Sequence, residues 1–173
     1  DKRTLSYGYG PMNLNLAQLA RAYLVFANEG AIPSLKLIKT ENNNESLEQV
    51  FTPESTKRIS EILDSVASND GSGYRAVIDG YSVAGKTGTA EMVIDRSYDK
   101  EGAQRTYFVG FSPAQNPKYI MAVRLDHPKK CFVHRRPELK RRCEGSNSAS
   151  IAFKKAMQRI LINDSEINSQ VES

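Results

Sequence analysis

Gly80-Tyr81-Ser82-Val83-Ala84-Gly85-Lys86-Thr87-Gly88-Thr89-Ala90 is the stretch on which the reading of this chain turns. Residues Gly80 to Thr87 match the phosphate-loop pattern G-x-x-x-x-G-K-[ST] letter for letter. A phosphate loop lies between a strand and a helix, and the helix N-terminus faces the phosphates. Here the residues inside the supposed loop, Tyr81-Ser82-Val83-Ala84, are strand formers. After Thr87 come Gly88-Thr89-Ala90-Glu91-Met92-Val93-Ile94, which carry no helical periodicity. The context predicts a strand over Tyr81 to Ala90. A nucleotide-binding module at Gly80–Thr87 is the alternative.

Two more strands are expected downstream. Thr106 to Phe111 is one, after a polar loop from Asp95 to Arg105. Tyr119 to Leu125 is the other, almost unbroken in apolar residues and so expected at the centre of the sheet. A last helix follows: Ala149, Ala152, Phe153, Ala156, Met157, Ile160 and Leu161 recur at helical spacing. Lys154, Lys155, Gln158 and Arg159 cover its wet face, and a polar tail is expected over 163–173.

Upstream, Asn15 with Gln18 reads as a capping box. The apolar residues Leu16, Leu19, Ala20, Tyr23, Leu24 and Ala27 continue that helix, and Gly30 ends it. Short strands around a polar turn, Glu41 to Glu45, fill residues 31–51. Thr52-Pro53-Glu54 starts a second helix, with Ile59, Ile62, Leu63 and Val66 on one face. Strands in series with short links imply an α+β fold, an antiparallel sheet covered by helices. Three strands make a narrow sheet for so apolar a third strand, which suggests missing partner strands.

The 173 residues suit a single domain. An apolar share of 39% excludes a disordered tail or a collagen-like repeat. The longest apolar run, Ala22 to Ala27, is far short of the roughly 20 residues of a membrane span. The start, Asp1-Lys2-Arg3-Thr4, is no signal peptide, so any targeting segment is expected outside this chain.

Net charge is +4, unevenly spread. Residues 129–142 hold Lys129, Lys130, Arg135, Arg136, Lys140, Arg141 and Arg142 against Glu138 alone, which makes that segment +6 and the remainder −2. Such a patch can bind an anionic polymer, but no aromatic stacking pattern accompanies it, so no nucleic-acid role is expected. The plain alternative is a solvated loop. The two cysteines, Cys131 and Cys143, bracket it. With His127 and His134 they give His-x3-Cys-x2-His-x8-Cys, which fits no standard zinc finger. A Cys131–Cys143 disulfide is the candidate in an oxidising compartment, and two free thiols in a reducing one.

On a strand, Lys86-Thr87-Gly88 resembles the Lys-Thr-Gly element of penicillin-binding proteins and serine β-lactamases. The chemistry suits that position. A lysine and hydroxyls on a strand edge can hold a peptide carboxylate. Gly88 leaves room for an acyl group, and the Thr89 N–H can point at a developing oxyanion.

The wider pattern is more specific. Ser6-Tyr7-Gly8-Tyr9-Gly10, Asn15 to Tyr23, Ala27-Asn28-Glu29-Gly30, Val83 to Ala90, Val109-Gly110-Phe111-Ser112-Pro113 and Val123 to Pro128 stand in the order found in class B penicillin-binding proteins. The Tyr-Gly-Tyr-Gly form is most similar to septal, FtsI-type peptidoglycan D,D-transpeptidases. The resemblance covers about residues 4–162. It departs at Asn15, where the family often has Thr-Pro, and at 127–143, a longer and more basic loop than usual.

The resemblance implies an incomplete penicillin-binding-protein/serine β-lactamase-like fold. The family's nucleophile lies in Ser-x-x-Lys, with Ser-x-Asn beside it, both ahead of the Lys-Thr-Gly strand. Only Ser97-Tyr98-Asp99-Lys100 fits Ser-x-x-Lys, it follows the strand, and its Asp- and Glu-rich neighbours mark a wet loop. Ser-x-Asn does not occur.

Residues 1–162 are therefore expected to be the C-terminal portion of a transpeptidase domain lacking its nucleophile, inactive alone, with 163–173 a flexible tail. By resemblance Lys86 and Thr89 are the catalytic candidates, Lys86 in the polar network beside the serines and the Thr89 N–H in the oxyanion hole. Thr87, Gly88, Thr89, Tyr107 and Phe108 are the substrate-binding candidates, although core packing claims at least one of the two aromatics. No metal or cofactor is implied. The implied partners are stem peptides, β-lactams and divisome membrane proteins, at the periplasmic side of the inner membrane. A noncatalytic cell-wall or partner-binding domain using residues 129–142 is a further alternative.

Overall fold

A computed structural model describes residues 13–34, 46–94, 97–98, 103–129, 131 and 143–171, with side chains of the last helix to residue 164. The Ser6–Gly10 motif, the turn at Glu41–Glu45, the loop at 132–142 and Lys100 lie outside the described residues.

Helix α1 spans Leu16–Tyr23. Its capping box is made: Asn15 Oδ1 accepts from the Gln18 N–H at 2.8 Å, and Gln18 Oε1 accepts from the Asn15 N–H at 3.0 Å. A 3-10 turn, Leu24–Phe26, continues it. Gly30 then reverses the chain at φ 96°, and a Cβ there would lie 2.1 Å from the Phe51 carbonyl oxygen. The reversal feeds strand β1 (Ala31–Pro33), which pairs antiparallel with β2 (Leu47–Gln49). Thr52 caps α2 (Pro53–Val66) by accepting from the Ser55 N–H at 3.2 Å.

The main sheet is antiparallel, in the order β3 (Ala84–Glu91), β6 (Gln104–Ser112), β7 (Tyr119–Asp126). Between β3 and β6, where only a polar loop was expected, β4 (Val93–Ile94) pairs with β5 (Ser97–Tyr98). Among the described strands β6 is the middle one, and β7, expected at the centre of a sheet with further partner strands, lies at one side. Strand β7 is apolar on one face throughout and on the other over its first half, where helices lie on both sides. Its Tyr119, Met121, Val123 and Leu125 pack toward α3 (Ala149–Val171), and Ile120 packs with Tyr23 and Phe26 beside α1.

The main core lies on the α3 face. Phe108 and Phe153 are both 0% exposed with ring centroids 4.6 Å apart, and Ile78, Val83, Met157 and Leu161 surround them. Of the two candidate cleft aromatics, Tyr107 and Phe108, core packing was expected to claim at least one; Phe108 is that one, and its burial removes it from the substrate-binding candidates. A smaller cluster of Leu63, Ala84, Phe111 and Ala114 occupies one end of the opposite face, where Phe26 stacks on Phe111 at 5.3 Å. Helical backbone continues to Val171, past the expected boundary at 162. Among the described side chains of this helix, Leu161 is 3% exposed and Ile162 41%.

Removing a fully buried aromatic deletes contacts and leaves a cavity. Phe153→Ala is expected to lower unfolding stability by about 3–5 kcal/mol, and Ile162→Ala by under about 0.5 kcal/mol. Urea titration of the two variants measures both, and equal losses would contradict this placement of the core.

Candidate active site

Strand β3 holds Lys86 to Thr89 in register with β6: Lys86 opposite Val109, Thr87 opposite Phe108, Gly88 opposite Tyr107 and Thr89 opposite Thr106. Its other edge pairs with no strand among the described residues. The hydrogen-bonding parity of that edge follows from one rung. The Met92 N–H donates to the Ala103 carbonyl at 2.9 Å, in continuous register with the ladder. Antiparallel partners alternate between exchanging hydrogen bonds and turning their polar groups away. Counting back from Met92, Ala90, Gly88 and Lys86 bond inward to β6. The N–H and C=O groups of Thr89 and Thr87 therefore point along the open edge. Lys86 Nζ lies on that edge, donating to the Thr87 carbonyl at 3.0 Å.

Side-chain parity divides the same residues between two faces. Gly85, Thr87 and Thr89 belong to the α3 face; an added Cβ at Gly85 would lie 2.7 Å from the Phe108 ring. Lys86 and Gly88 belong to the other face with Tyr107, and a Cβ at Gly88 would lie 3.3 Å from Tyr107 Cβ. The strand edge thus carries an exposed ammonium on one side, two hydroxyls on the other, and the peptide groups of Thr87 and Thr89 between them. Tyr107 is half-buried beside Gly88, a place consistent with its expected role, whereas Phe108 is behind the sheet.

The start of β3 is pinned from the side. Ser112 Oγ donates to the Ser82 carbonyl at 2.8 Å, and Ser82 Oγ accepts from the Ala114 N–H at 2.9 Å. The Thr89 end is also held. Thr89 Oγ1 accepts from the Gly145 N–H at 3.0 Å, from the 3-10 turn Gly145–Asn147 that precedes α3.

Two rungs across the open face stands an ion cluster. Arg124 Nε and Nη2 reach the two Asp126 oxygens at 2.8 and 2.5 Å, and Arg105 Nε reaches Asp126 Oδ1 at 2.8 Å. The Arg124 hydrogen bond, helped by Arg105, lowers the Asp126 carboxyl from 3.8 to about 2. The sequence reading passed over this cluster. Its trace is the polar pair Arg124 and Asp126 at alternate positions of an otherwise apolar strand.

The phosphate-loop alternative fails on geometry. Gly80–Thr87 forms a turn and then strand, and β3 runs on to Glu91 with no helix after Thr87. Ser97 lies in the two-residue strand β5, exposed, and not at a helix N-terminus. Cys131 and Cys143 are joined in a disulfide, their Cα atoms 5.5 Å apart. No group of three or more potential metal ligands occurs among the described residues. A groove of about 590 Å³ lies elsewhere, lined by Phe26, Pro53, Lys57, Glu61 and Ala114 among others and by none of Lys86 to Thr89.

Comparison with known proteins bears on this arrangement. The family described as the penicillin binding protein transpeptidase domain matches residues 1–158. Peptidoglycan D,D-transpeptidase FtsI of Buchnera aphidicola is 34% identical over 166 residues, 93% of this chain and 27% of that protein. A Pseudomonas aeruginosa protein named probable peptidoglycan D,D-transpeptidase PbpC is 38% identical over 125 residues, 72% of this chain and 22% of its own length. The apo transpeptidase domain of Burkholderia pseudomallei penicillin-binding protein 3 superposes with a TM-score of 0.76 at 31% identity, over 92% of this chain and 45% of that one. The chain spans under a third of these curated relatives.

The ion cluster gives a test of the open face. A folded-state carboxyl lowered to about 2 stabilises the fold above the unfolded value near 3.8 and loses that contribution as pH falls toward 2. Asp126 is 42% exposed, so the contribution is at most about 1 kcal/mol. Arg124→Gln is expected to move the Asp126 midpoint up toward the ordinary carboxylate range, read by NMR titration of its carboxyl carbon. An unmoved midpoint would assign the effect to Arg105.

Proposed function

We propose a function for this chain from one premise: it belongs to the penicillin binding protein transpeptidase domain family. Residues 1–162 are the C-terminal part of a class B peptidoglycan D,D-transpeptidase, and 163–173 are its tail. The activity is acyl transfer. A serine supplied by the part of the domain ahead of β3 attacks the penultimate D-Ala carbonyl of a stem peptide, and the terminal D-Ala leaves. An amine of a neighbouring stem then takes the acyl group and frees the serine. β-Lactams acylate the same serine and stay.

The observation that carries this reading is the open edge of β3, where the Thr89 and Thr87 peptide groups face outward beside Lys86. An acyl chain lying along that edge continues the sheet by one strand, with main-chain hydrogen bonds as the recognition. The Thr89 N–H then meets the carbonyl oxygen as it gains charge. Gly88 offers no side chain to obstruct the approach. The Thr87 and Thr89 hydroxyls donate to the terminal carboxylate, and the Lys86 ammonium favours that anion and the polar network around the serine. Tyr107 walls the Lys86 side.

The Tyr7-Gly8-Tyr9-Gly10 motif and the FtsI relative favour septal duty, with divisome membrane proteins as partners. The Cys131–Cys143 disulfide favours the periplasmic side of the inner membrane, where such bonds persist. Among the described residues no helix is long and apolar enough to cross a membrane.

Fluorescent penicillin tests the reading directly. The full-length protein that carries this chain is expected to form a covalent adduct, and the 173-residue chain alone none. Lys86→Ala in the full-length protein is expected to slow acylation by about 100-fold or more, the scale of losing one preorganised charge at a reacting centre. An unlabelled full-length protein, or an adduct on the isolated chain, would refute the assignment.

A further inference from the structure

We infer that the Gly145 amide is a positioning group for the Thr89 hydroxyl, and that the Cys131–Cys143 disulfide makes its hold dependent on redox state. The inference rests on the reading of β3 as a carboxylate-binding edge.

A threonine hydroxyl has one proton to donate and lone pairs to accept with. At Thr89 the Gly145 N–H, 3.0 Å away, occupies a lone pair. The hydroxyl proton is thereby directed away from Gly145, as a donor, and Thr89 is exposed toward solvent. A hydroxyl fixed in that sense suits an anion and not a cation. The contact orients a hydroxyl already on the edge.

The turn that bears Gly145 is seated tightly. Gly145 lies across the Gly88–Tyr107 rung, where an added Cβ would sit 2.7 Å from both carbonyl oxygens and 3.0 Å from the Gly88 nitrogen. Only a residue without a side chain can bring its amide so near the sheet. The turn is braced from within: Asn147 Oδ1 accepts from the Glu144 N–H at 2.7 Å, and Ser148 Oγ bonds Thr106 Oγ1 at 3.0 Å, on the rung that also holds Thr89.

Cys143 stands two residues before Gly145, is buried, and is tied to Cys131, which follows β7. The covalent link therefore fastens the segment just before the Gly145 turn to the segment that follows β7. Reduction by a dithiol breaks the S–S bond, leaves two protein thiols and converts the reductant to its own disulfide, so electrons balance. The turn then keeps only its noncovalent contacts, and Thr89 loses a fixed donor geometry.

Two measurements test this. In the 173-residue chain, hydrogen exchange of the Gly145 amide is followed by NMR before and after reduction with a dithiol. Exchange at least 10-fold faster in the reduced chain is expected; unchanged exchange overturns the redox coupling. In the full-length protein, acylation by a penicillin is compared with acylation by its methyl ester, which lacks the carboxylate. Reduction, or the double substitution Cys131→Ser with Cys143→Ser, is expected to slow the free acid about 10-fold and leave the ester unchanged. Equal slowing of both would mean a general loss of structure, and no slowing of either would mean no positioning; each overturns the inference. A full-length protein that neither compound acylates refutes the functional reading instead, and the exchange measurement then decides the Gly145 hold by itself.

Discussion

The ring of Phe108 lies across the Gly85–Gly110 rung, and the placement of the site depends on that contact. A Cβ on Gly85 would meet the ring at 2.7 Å, and one on Gly110 at 2.9 Å. Two opposed glycines thus open a flat seat on the sheet, which the ring fills from one side while Phe153 closes it from the other. Close packing makes such a seat specific, since a gap of a methyl group costs contacts and an added methyl forces strands apart. The seat also fixes side-chain parity. With Gly85 under the ring, Lys86 must face away from α3 and Thr87 toward it.

That parity gives the strand edge its chemistry. An edge strand usually invites aggregation, because its peptide groups are open to any other strand. Here the outward groups are those of Thr87 and Thr89, with a cation on one flank and hydroxyls on the other. On the proposed reading, an extended ligand ending in a carboxylate would satisfy both the peptide groups and the charged flank. The hazard of an open edge and its use in recognition rest on the same hydrogen bonds.

Much of this was legible in sequence because local signals agreed with the tertiary outcome. The Asn15–Gln18 capping box, Pro53 at a helix start and the stripe from Ala149 to Leu161 each depend on neighbours within a turn or two. The strand reading of Tyr81 to Ala90 against the phosphate-loop pattern rested on the same kind of signal, and the strand forms from Ala84 on. What failed depended on packing across the molecule. The apolarity of Tyr119–Leu125 has two causes, neighbouring strands or helices on either side, and periodicity cannot separate them. Which of Tyr107 and Phe108 belongs to the core was not legible, because adjacent strand positions point to opposite faces, and one residue decides between core and site. Gly145 carried no signal, since its role arises only where a turn before α3 crosses β3 and β6.

The two faces of the sheet divide the work. The α3 face holds the large core, with Phe108, Phe153, Met157 and Leu161 almost fully buried. Among the described residues the opposite face is covered at one end, where Leu63 and the α1 segment pack on Phe111, and further along it carries Lys86, Tyr107 and the Arg105–Asp126–Arg124 cluster. Stability thus comes chiefly from behind the strand that bears the site. The Gly145 turn joins the two sides: it belongs to the α3 layer by sequence yet reaches the Thr89 hydroxyl at the edge. The Gly145–Thr89 hydrogen bond and the Ser148–Thr106 contact thus tie that layer to the Thr89–Thr106 rung.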